Sequence, residues 1–142
     1  MKYDRILRGG RSGVYAAPRL TGPLRAAAAR AGLEWFDLDL AGVADRDAFL
    51  QRCAAVFSFP GYYGRNWDAL HECLLDMAGR GEPGAIVHWR RGAELARRTP
   101  EAMTTALEVL LDAAVHWCGT GRTFLVVVDR DSARGRALRP LR

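Results

Sequence analysis

The sequence predicts an α/β domain, a small parallel sheet of three strands packed with helices. Three observations carry that expectation. Runs with strand character recur near residues 35–40, 85–89 and 123–128. Between them, apolar residues return every three or four positions, the period of a helix with one buried face. Strands that alternate with helices in this way build a parallel sheet covered by helices. At 142 residues the chain is long enough for one domain with its own core, without disulfides or a structural metal.

Taken in order, the opening holds two short strand candidates, Ile6-Leu7 and Val14-Tyr15-Ala16, which would form a short hairpin. Pro23 to Ala31 starts with proline and stops before Gly32, the punctuation of a short helix. Glu34 to Leu40 alternates apolar and acidic residues, a strand with one buried face. From Asp45 a helix follows, with Leu50, Cys53, Ala54 and Phe57 on one side and Asp45 or Asp47 as its cap. Asn66 is a good cap for the next helix, in which Trp67, Leu70, Leu74 and Met77 face a core before Gly79 and Gly81 end it. Ala85 to Trp89 reads as a buried strand, and a weaker helix covers Gly92 to Arg98. Thr99-Pro100-Glu101 is a strong helix start, leading into a stripe of Met103, Leu107, Leu110, Ala114 and Trp117. Thr123 to Val128 is a β-branched run suited to a central strand.

Charge is distributed unevenly along this chain. The total is +5, yet residues 1–33 hold seven basic residues and one acid, and residues 129–142 hold five arginines and two aspartates. The segment between has nine arginines against thirteen acids, a net of −4. The basicity therefore belongs to the ends, and the middle is what an acidic domain looks like. The start has no apolar signal core and no run approaches a membrane span, so a cytoplasmic location is expected. Cys53, Cys73 and Cys118 form no CxxC pair and sit in apolar helical patterns, which reads as reduced, buried and inert thiols. Neither a zinc site built on His71 and Cys73 nor a Cys–His nucleophile has the spacing it needs. No metal and no cofactor is expected. An enzyme is the least supported class, for want of a phosphate loop, a metal-spaced cluster or a nucleophile elbow.

The helix after Asn66 carries Asp68, Glu72 and Asp76, each four residues after the last. Like charges at that spacing weaken a helix by about 0.2–0.5 kcal/mol per pair. Asp68 lies in the first turn, where the helix dipole favours a carboxylate; Glu72 and Asp76 lack that support. The bland explanation is a solvated face. Against it stands Tyr62-Tyr63-Gly64 just upstream, since adjacent tyrosines in a loop place one ring outward beside the acids, which is interface composition. Glu101, Glu108 and Asp112 repeat the theme on the last helix.

Tyr62-Tyr63-Gly64, Asn66, Asp68-Ala69-Leu70 and Cys73-Leu74 resemble the signature loop and helix of the barstar family of intracellular ribonuclease inhibitors. His88-Trp89-Arg90 resembles that family's Glu-Trp-Arg strand, and Leu107 to Ala113, Cys118 and the valine-rich strand resemble its closing helix and strand. The likeness covers residues 34–128, with 1–33 a basic N-terminal extension and 129–142 a basic tail. It implies three parallel strands with packed helices, and a function: covering the active site of a small guanyl-preferring ribonuclease. It also implies a set of partner-binding residues. Tyr62 would lay an aromatic face on the enzyme, Gly64 and Asn66 would shape the loop, and Asp68 and Glu72 would stand in for phosphates. His71 would occupy the place of the family's tryptophan, and Asp112 would contribute from the periphery. Charge complementarity speeds such an encounter and fixes its register, a generalisation for which this family is itself the measured example.

Three residues depart from the pattern. Glu72 replaces an aspartate, Arg65 replaces an acid on the loop, and His71 offers less apolar area than tryptophan. They keep the expectation of ribonuclease inhibition and argue against an identical target. The alternative is an interaction or immunity module of the same fold that binds another basic protein. Nucleic-acid binding through the basic ends is weaker, because the arginines lack interleaved aromatic residues. A protein partner, no membrane and a monomeric free state complete the expectation.

Overall fold

The computed structural model describes residues 2–60, 63–78, 83–133 and 135–142. Its elements in chain order are α1 (Lys2–Arg8), β1 (Gly13–Ala16), α2 (Gly22–Arg30), β2 (Glu34–Asp39), α3 (Arg46–Phe57), α4 (Trp67–Met77), β3 (Gly84–Arg90), α5 (Ala93–Arg98), α6 (Pro100–Gly119) and β4 (Thr123–Val128). The strands form one sheet in the order β1-β4-β3-β2, and every pair is parallel. The α/β expectation holds, but the sheet has four strands, not three. Val14 to Ala16 belongs to the fourth, paired with β4 from Gly13↔Leu125 to Ala16↔Val128.

The expected hairpin does not form. Ile6 and Leu7 lie in α1, where helical spacing lets both bury against α2 together with Tyr3. β1 finds its partner instead in β4, whose six residues are all buried. A parallel strand covered on both faces reads as a continuous apolar run, which is what TFLVVV is.

Successive side chains of a strand point to opposite faces, and the sheet uses both. Ala85, Val87, Trp89, Phe124, Val126 and Val128 join the main core under α3, α4, α5 and α6. Ile86, Leu125 and Val127 join a second core with Leu24, Ala27 and Ala28 of α2, Ile6 and Leu7 of α1, and Leu141. The chain after β4 returns along the outer edge of β1, where the Ala16 amide donates to the Arg139 carbonyl at 2.7 Å.

The helix starts are resolved in detail. Asp45, not Asp47, caps α3 by accepting from the Ala48 amide at 2.9 Å. Thr99 stands at the start of α6 without capping it; its hydroxyl donates to the Ala44 carbonyl at 2.7 Å and ties α6 to the loop before α3. Leu107 is only half-buried, and Ala102, Ala106 and Ala113 fill the α6 stripe beside Met103, Leu110, Ala114 and Trp117. Among the cysteines Cys53 is buried, but Cys73 is half-buried and Cys118 exposed, because α4 and α6 turn those positions away from the core. Gly79 and Gly81, expected to end α4, lie outside the described residues. No helix among the described residues is long and apolar enough to cross a membrane.

Candidate protein-binding surface

The loop before α4 is held from below by aromatic packing. Phe57 meets Phe36 of the sheet at 4.9 Å between ring centroids, Phe59 meets Phe57 at 5.5 Å, and Tyr63 meets Phe59 at 5.1 Å. Ser58, in the left-handed region at φ 55°, ends α3 and turns the chain into this loop. Tyr63 is therefore the inward tyrosine of the pair. Its Oη is buried with no hydrogen-bond partner among the described residues, and burial pushes the phenol well above its ordinary pKa. Tyr62, the residue expected to face a partner, lies outside the described residues.

Gly64 makes a close approach to the cap: a Cβ there would stand 3.3 Å from Asn66 Nδ2 and 3.6 Å from Ala69 Cβ. Asn66 Oδ1 accepts from the Ala69 amide at 2.7 Å and fixes the first turn of α4. Between them Arg65 takes φ 51°, an uncommon conformation for a residue with a Cβ. Below the loop Trp67 packs on Phe49 with ring centroids 5.9 Å apart.

Leu70, Leu74 and Met77 are buried, and Trp117 of α6 donates its indole N–H to the Leu74 carbonyl at 2.9 Å. With that side anchored, the helical repeat places Asp68, Glu72 and Asp76 on the solvent side, and all three are exposed. His71 is half-buried beside them. The field of the stripe is felt at Cys73, whose thiol is pushed up first by burial and then by Asp76 and Glu72.

The other acids of the central segment are largely occupied. Arg90 donates to both oxygens of Asp37, at 2.6 and 2.7 Å, and Arg91 pairs with Asp39. Asp45 caps α3, Asp47 lies 3.5 Å from Arg46, and Glu94 lies 3.7 Å from Arg98. By contrast Asp68, Glu72 and Asp76 on α4, and Glu101, Glu108 and Asp112 on α6, have no ion pair among the described residues. The unpaired charge of the middle segment is thus concentrated on two helices that pack against each other.

Of the expected site residues, Gly64, Asn66, Asp68, His71 and Glu72 fall on one loop-and-helix unit. Asp112 is exposed on α6 and makes no hydrogen bond or ion pair to that unit. Sequence reasoning missed the aromatic column under the loop and the left-handed Arg65. Phe59 was the available signal, since an apolar ring two residues after a helix end has to find a packing surface. Among the described residues no group of three or more His, Cys, Asp or Glu side chains could hold a metal ion.

Comparison with curated proteins gives no significant match. Residues 33–129 match the family model described as barstar (barnase inhibitor), and with well over half of its 142 residues in that match the chain belongs to the barstar family.

Proposed function

We propose that this protein inhibits a small guanyl-preferring ribonuclease by laying α4 and its preceding loop over the enzyme's active site. One observation carries the reading: Asp68 and Glu72 are exposed, have no ion pair among the described residues and are fixed on a capped helix braced by buried leucines. A ribonuclease cleft gathers arginine, lysine and histidine to hold phosphates, and carboxylates on a rigid support can occupy the same positions without ordering themselves on binding. Tyr62, Gly64, Asn66 and His71 would form the remainder of the contact, with Asp112 at its edge. Such an inhibitor has no catalytic group of its own. Titration of the purified protein against a panel of small secreted guanyl-preferring ribonucleases tests the reading; it predicts stoichiometric inhibition of at least one. No inhibition at micromolar protein would sink it.

A second reading rests on Arg65, which is exposed, has no ion pair among the described residues and stands one residue before the α4 cap. A positive charge there favours a partner with an acidic group facing the loop, as in an immunity module for some other basic protein. Affinity capture from the native cell separates the two, because only the first yields a ribonuclease.

A further inference from the structure

A second feature lies at the carboxyl ends of β1, β4 and β3. A cleft of about 330 Å³ opens there, and Arg19, Thr21, His88, Arg90, Asp129 and Arg130 line it. Asp131 is also in the lining. None of these residues belongs to the α4 surface. In parallel α/β sheets this is where ligands collect, because helices running back over the sheet begin beside the strands' carboxyl ends.

His88 is the least expected member. It is only 9% exposed, and neither ring nitrogen has a hydrogen-bond partner among the described residues. The Trp35 ring meets it edge-on at 5.8 Å and supplies no acceptor. With no protein partner among the described residues, the nitrogens of this largely buried ring are left to whatever fills the cleft, water or a ligand. Burial also holds its pKa below 6.5, leaving a neutral ring with one N–H to give.

Other donors line the cleft or stand next to its lining. Thr21 stands at the start of α2 in a helical conformation and its side chain caps nothing. Pro23 lacks an N–H, which leaves Gly22 and Leu24 as first-turn donors with no acceptor inside the helix. Arg19 and Arg130 are exposed and form no ion pair among the described residues. Asp129 keeps its charge at the cleft, but its oxygens accept from the Arg91 amide at 2.7 Å and the Ser132 amide at 2.8 Å and so do not compete for Arg19 or Arg130 as hydrogen-bond donors. Arg90 is held by Asp37 and serves as a wall rather than a free cation.

We propose that this cleft binds a phosphate group, with Arg19 and Arg130 neutralising its charge, the Thr21 hydroxyl and the start of α2 donating from one side, and His88 donating from the floor. The volume lies at the lower end of the range for small-molecule sites, so a phosphate monoester of a small molecule fits as well as the free ion.

The test is nuclear magnetic resonance titration with inorganic phosphate and, separately, glycerol phosphate, each against chloride at matched ionic strength. Either phosphate should move the Gly22 and Leu24 amides and raise the pKa of the His88 ring, whereas chloride should do neither. His88 is faced by Asp37 on β2, Arg90 on its own strand, Asp129 after β4 and Arg25 on α2. These groups are the same in both salts, so an upward shift reports the added anion. Tighter binding of the ester assigns the site to small phosphorylated molecules, and tighter binding of inorganic phosphate assigns it to the free ion; both support the site. The double variant Arg19→Ala, Arg130→Ala should weaken binding at least about tenfold, while Arg46→Ala, outside the cleft lining, should not change it. Equal responses in phosphate and chloride, or binding indifferent to the double variant, would overturn the proposal.

Discussion

Glu72 sits mid-helix with no ion pair among the described residues, and its worth is set by what meets it. If its carboxylate is buried against a ribonuclease cation, Glu72→Ala should weaken the complex by about 2–5 kcal/mol, a range whose measured examples include this family's own complex. An effect under about half a kcal/mol in a competition assay would remove Glu72 from the centre of the interface. Arg65 allows a test of opposite sign. Against a basic enzyme, Arg65→Glu should speed association, and the gain should shrink as salt is added. Slower association would instead point to a partner with an acidic group facing the loop, the feature on which the second reading rests. His88 bears on stability. Its pKa in the folded chain lies below 6.5, so on acidification the unfolded chain takes up the proton first. The stability it contributes as a neutral ring is therefore fully present above the unfolded pKa and is lost as pH falls below about 6.5. Urea unfolding of His88→Gln should show a shallower loss between about pH 7 and pH 5 than the parent chain.

At the scale of elements, the cap of α4 links fold to binding. Asn66→Ala removes the acceptor for the Ala69 amide and should cost about 0.5–2 kcal/mol in denaturant unfolding. It also frees the loop proposed to meet a partner, so on that proposal binding should weaken along with stability. At Gly84 β3 approaches β4 so closely that an added Cβ would collide with the Thr123 backbone. Gly84→Ala should destabilise by about 1–3 kcal/mol, read as a lowered urea midpoint with an unchanged slope. These elements also show what could be read from sequence. The α4 stripe was legible because burial of Leu70, Leu74 and Met77 dictates by helical repeat that Asp68 and Glu72 face outward. The Asn66 cap and the β3 and β4 runs are equally local signals. β1 was legible as a strand but not as a sheet member, since four residues do not say which of several strands they will join. Ile6-Leu7 misled because an apolar pair fits either period, and the helix is decided by α2, more than a dozen residues away. The Asp37–Arg90 pair spans 53 residues, so no local pattern could tell which acids of the central segment were already spoken for.

For the molecule as a whole, the two faces of the sheet divide the work. α3 to α6 cover one face and present the acids; α1 and α2 cover the other, and Thr21 at the start of α2 borders the cleft proposed to bind phosphate. Residues 1–33 supply most of that second cover, including Leu24, Ala27 and Ala28. A chain begun at residue 34 would leave Ile86, Leu125 and Val127 facing water. Each such side chain contributes about 1.5–3 kcal/mol when buried. That variant should therefore bind hydrophobic dyes and melt well below the full chain, or aggregate. A melting temperature unchanged by the truncation would show the N-terminal segment to be dispensable for folding.

The strand order has a consequence for the chain's birth. β1 is made before the other three strands, yet its one neighbour in the sheet is β4, the last of them. The Phe124 amide that Ser12 Oγ accepts lies 112 residues further along. Contacts so distant in sequence slow folding, because the loop between them must be ordered before they reward it. A growing chain therefore holds Gly13–Ala16 unpaired until β4, more than a hundred residues later, has been synthesised. The molecule closes in one late step, when β4 arrives between two strands that have never touched.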